Sequence, residues 1–80
     1  MKDELVDLYL LVFTDTAARL NIEFTNEHRI AVEKAIRSEL KENGYVEMKE
    51  GFGDTKERFT KMEETDFQEM ISGMLADEDD

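Results

Sequence analysis

The sequence predicts a mainly α fold: an antiparallel helical hairpin, a short β-hairpin or irregular middle segment, and a capped C-terminal helix with an acidic tail. Three observations lead there. Apolar residues recur at helical spacing in three separate stretches, Pro is absent, and Gly44 stands where the second of those stretches ends. Eighty residues hold one domain, assigned to residues 1–75, with residues 76–80 as a disordered acidic tail. A chain of this size buries only about 60–65 % of the surface its unfolded form exposes. Small domains are commonly stapled by disulfides, metals or self-association. The absence of Cys excludes disulfides and thiolate metal sites, leaving helix packing or oligomerisation.

The first helix is predicted over residues 3–20, the most apolar part of the chain. Leu5, Tyr9, Val12, Phe13, Thr16, Ala17 and Leu20 share one broad face, and Val6, Leu8, Leu10 and Leu11 spread apolar character beyond it. A helix apolar on so many sides must be covered by its own chain or by a second copy, so a homodimer through this helix is one expectation. Asn21 to Phe24 form a short connection that places Ile22 and Phe24 in the core. Thr25 or Asn26 caps a second helix over residues 26–43, whose face carries Ala31, Val32, Ala35, Ile36 and Leu40. Gly44 stops it, because glycine accepts the positive φ found just past a helix end.

The middle is read as a two-stranded hairpin. Residues 45–48 alternate, Gly51-Phe52-Gly53-Asp54 suits a loop tip, and residues 57–62 form a return strand. The rival is a helix starting at Asp54 with Phe59 and Met62 inward. Thr65 and Gln68 fit a capping box, which predicts a last helix over residues 66–75 with Phe67, Met70, Ile71 and Met74 on its apolar face.

Charge is uneven. The net value is −11, but residues 1–44 hold nine acids against six Lys or Arg, and residues 45–61 hold four of each. Residues 62–80 hold eight acids and no base: Glu63, Glu64, Asp66, Glu69, Asp77, Glu78, Asp79 and Asp80. Direct binding to nucleic acid is disfavoured, since Lys and Arg neutralising phosphates supply that affinity. A protein partner with a basic surface is the natural counterpart. The expected mechanism is charge mimicry, with these carboxylates standing in for phosphates. The bland account is that the acids stabilise a helix start and keep a tail solvated. Met70 and Met74 join the expected contact set as an adaptable apolar front, with closure of the core as the alternative.

Residues 39–50 resemble the calcium loop of the EF-hand family. Gly44 matches the central glycine, Val46 the apolar position two later and Glu50 the final bidentate acid. The resemblance implies Asn43 as a ligand and the Tyr45 carbonyl as another. Glu39 departs from the usual first Asp, and Lys41 puts a positive charge at a ligand position. A helix stopping at Gly44 explains the same residues, and no cofactor is expected. The helix end before a predicted hairpin is also similar to a winged-helix DNA reader, with Lys49, Lys56, Arg58 and Lys61 in the wing and Arg37 and Lys41 just before. Glu47, Glu50, Asp54 and Glu57 cancel that charge.

Enzymatic activity is not expected. His28 is the only histidine and is read as a surface residue, no Cys nucleophile exists, and Ser38 and Ser72 lack a supporting motif. No segment is apolar for long enough to span a membrane, and the acidic start MKDELVD lacks a signal peptide's basic region. A cytoplasmic location follows as an expectation. In character, small cysteine-free acidic proteins of this kind are similar to inhibitors from bacteriophages and mobile elements. The alternative function is a dimerising helical structural or assembly module, with no nucleic-acid-related role, whose charge serves solubility.

Overall fold

Every apolar stripe of the sequence ends up on a helix. The computed structural model describes residues 2–77, and these form four helices with no strand among them: α1 (Lys2–Arg19), α2 (Asn26–Asn43), α3 (Tyr45–Thr60) and α4 (Glu64–Asp77). They pack into a slab of 31 × 31 × 17 Å in which α2 touches all three others.

The predicted face of α1 is the heart of the core. Leu5, Val6, Tyr9, Val12, Phe13, Thr16 and Ala17 are all buried, at the i, i+4, i+7, i+8 spacing of one helical face. Its own chain supplies most of the covering that its hydrophobicity demands, through α2, α3 and the Phe67 ring of α4. Leu8 and Leu11 remain on the outside, 45 % and 56 % exposed. The helix closes on Asn21 at φ 60°, with Asn21 N–H donating to the Ala18 carbonyl and Ile22 N–H to that of Ala17. This double bond pattern satisfies two otherwise orphaned carbonyls and turns Ile22 onto the core.

Thr25 caps α2, and His28 completes the cap. The Thr25 hydroxyl accepts from the His28 N–H at 3.2 Å, while His28 Nδ1 accepts from the Thr25 N–H at 3.3 Å. The histidine read from sequence as a surface residue is thus half-buried and holds a helix end, the task Glu or Gln performs in the usual capping box.

The largest departure from the sequence reading is the middle. Residues 45–60 form one continuous helix, so the hairpin, the helix start at Asp54 and the winged-helix comparison all fall. Gly51 and Gly53 cost a helix interior about 1 kcal/mol each relative to Ala. Burial of Met48 and Phe59, with Tyr45 and Phe52 partly buried against the core, offsets that cost. Phe52 meets Tyr9 edge-on at 5.1 Å and Phe59 meets Phe13 at 4.7 Å, an arrangement favoured by the ring quadrupoles.

A single residue, Gly44, joins α2 to α3. Its φ of 86° and ψ of 158° lie in a region open essentially to glycine alone, so the sequence correctly marks it as a stop. Residues 39–50 therefore form two helices meeting at Gly44 and not a loop wrapped round a cation. Asn43, which the calcium-loop resemblance makes a ligand, donates to Glu39 at 2.8 Å.

Helix α4 starts two residues before the predicted position. Thr65 lies in its first turn and is not its cap; the Glu63 carbonyl accepts the Phe67 N–H at 3.0 Å. At the far end α4 continues through Ala76 and Asp77, so the predicted disordered tail begins no earlier than residue 78. Glu78, Asp79 and Asp80 lie outside the described residues.

Candidate functional site

Helix α4 brings the acidic and methionine features together on one element. Phe67 and Ile71 fix its orientation, both being buried in the core. That anchoring leaves Glu63, Glu64, Asp66 and Glu69 exposed around its first two turns. No ion pair involves these four among the described residues, and no Lys or Arg occurs from residue 62 to 80. Asp77 is the last helical residue, on the backbone at the C-terminal end of α4, and Glu78, Asp79 and Asp80 follow it in the chain.

Met70 and Met74 are half-buried, neither wholly core nor wholly surface. They line a groove of about 350 Å³ together with Tyr9, Phe13, Ile36, Met48 and Phe59, all five of them buried core residues. Glu39, Thr55 and Arg58 also line it; the sequence pointed Glu39 to a calcium loop and Arg58 to a wing, with no sign of this groove, which depends on how α2 and α3 are placed. The groove exists because α3 and α4 make no extended contact with each other; both pack on α2.

Arg19 donates to the Phe59 carbonyl at 2.8 Å and the Met62 carbonyl at 2.9 Å, capping the end of α3. Lys34, Arg37 and Lys41 share the outer face of α2, where Arg37 pairs with Glu33 at 3.7 Å. Residues 63–69 thus expose four acids with no Lys or Arg among them, while Arg58 of α3 lines the groove beside Met70 and Met74.

Among the described residues no group of three or more His, Asp or Glu is placed to hold a metal ion, and no helix is long and apolar enough to cross a membrane. Compared with protein-family models, curated proteins and solved structures, the chain matches none.

Proposed function

We propose that this chain is a non-enzymatic protein-binding module that inhibits a partner by occupying its basic, nucleic-acid-binding surface, in the manner of a bacteriophage-type DNA mimic acting in the cytoplasm. Glu63, Glu64, Asp66 and Glu69 form the contact, extended by Asp77, Glu78, Asp79 and Asp80, with Met70 and Met74 alongside. One observation supports the reading most strongly: the acids lie at both ends of α4. At its N-terminus they complement the helix dipole, and helix stability alone accounts for them. At its C-terminus, where no base occurs in the last turn, negative charge opposes the dipole. Acids placed where they weaken their own helix fit a role outside it.

The test is capture from a bacterial lysate at low and high salt. Intact protein is compared with a variant carrying Glu63→Gln, Glu64→Gln, Asp66→Asn, Glu69→Gln and neutralised acids from residue 77 onward. Salt-sensitive capture of a basic nucleic-acid-binding protein by the intact form alone supports the reading; capture unaffected by neutralisation refutes it.

A second reading, a dimerising structural module, is favoured by the exposed Leu8 and Leu11 on α1. It requires a melting temperature that rises with protein concentration.

A further inference from the structure

Helix α3 is anchored near its two ends and weak at its centre. We propose that it carries a hinge at Gly51–Gly53, where the helix opens locally while both ends stay docked on the core. Such a hinge is a property of the fold and stands whatever the protein binds.

Before the hinge, Met48 is buried and its carbonyl accepts the Tyr9 hydroxyl at 2.7 Å. After it, Phe59 is buried against Phe13, and Arg19 donates to the Phe59 and Met62 carbonyls. Between Met48 and Phe59 no residue of α3 is fully buried. The main hold there is the half-buried Phe52, which lies edge-on against Tyr9 at 5.1 Å.

Three features weaken this central stretch. Gly51 and Gly53 each lower the weight of the helical state about 2- to 5-fold relative to Ala. Neither is required by the fold: among the described glycines only Gly44 has a positive φ, and a Cβ at either position meets no atom within 4 Å. Thr55, one turn on, donates its hydroxyl back to the Gly51 carbonyl at 3.1 Å, a type of bond that slightly destabilises and bends helices. Nor does α4 brace the stretch, since α3 and α4 make no extended contact. Met48 on one side of the hinge, and Thr55, Arg58 and Phe59 on the other, line the groove beside Met70 and Met74, so opening at the hinge reshapes that groove.

The test is residue-resolved amide hydrogen exchange on the full chain. Opening at residues 51–53 breaks the backbone bonds that close around them, which are donated by the amides of residues 52–56. The expected result is a protection minimum there, at least about tenfold below residues 49–51 and 57–59, and nearly insensitive to mild urea. The double variant Gly51→Ala, Gly53→Ala should slow exchange at residues 52–56 by about 5- to 30-fold. Gly73→Ala, at an exposed helical glycine of α4 with open space for the methyl, should leave those amides unchanged. Protection that rises steadily from both ends of α3 to its middle, the pattern of an ordinary fraying helix, overturns the hinge. Slowing of residues 52–56 by Gly73→Ala also overturns it, because their exchange then runs through global unfolding. No response to the two alanines in α3 does the same.

Discussion

The Tyr9 hydroxyl donates to the Met48 carbonyl at 2.7 Å, a buried bond that ties α1 to the first turn of α3 four residues after Gly44. It fixes where α3 begins relative to the core and, through that, one wall of the groove. Tyr9→Phe keeps the edge-on contact with Phe52 and removes only the bond. The expected loss is about 1 kcal/mol, read as a lower urea midpoint with unchanged slope.

Gly44→Ala should be far more damaging than its size suggests. A Cβ there meets no atom within 4 Å, so the cost comes from the backbone angle alone. Roughly 1–3 kcal/mol is expected, and each kcal/mol lowers the melting temperature of a domain this size by about 4–8 °C.

Gly51→Ala and Gly53→Ala should act in the opposite direction. Both glycines are helical and both have open space where the methyl would go. Together the substitutions should stabilise by about 1–2 kcal/mol. In a hairpin tip the same changes would destabilise, so thermal melting separates the two structures.

Arg19→Gln removes two charge-assisted bonds, one to Phe59 in the last turn of α3 and one to Met62 just past its end. We expect a loss of about 1–2 kcal/mol and faster amide exchange at Lys61 and Met62, whose N–H groups bond the Arg58 and Phe59 carbonyls. Arg19→Lys should recover only part of it, because both bonds come from Nη2 at the far end of the guanidinium and the shorter lysine stem sets its ammonium nearer its own helix.

Helices α1 and α2 were legible because their apolar periodicity is long and Gly44 stops α2 at an angle closed to other residues; the positive φ of Asn21 that closes α1 was not read from the sequence. Helix α3 was misread because Gly51 and Gly53 dominate a local reading. Tyr45, Met48, Phe52 and Phe59 nonetheless keep helical spacing across them, and that pattern was the available signal. At α4 the Thr65–Gln68 pair imitates a capping box, yet the chain is already helical at Glu64. The acids and methionines of the candidate site were visible as composition. The groove joining them was not, since it arises from the placement of α3 and α4 on α2, a tertiary relation that no local pattern encodes.

Central to the proposed function is competition by the acids of residues 63–80 for a nucleic-acid-binding surface. The most direct measurement is displacement of a fluorescent oligonucleotide from the captured basic partner, followed by anisotropy. Intact protein should release the oligonucleotide at a fixed salt concentration, and the neutralised variant should not. Equal release by both proteins, or a complex in which partner and oligonucleotide remain joined with this protein bound, would contradict it.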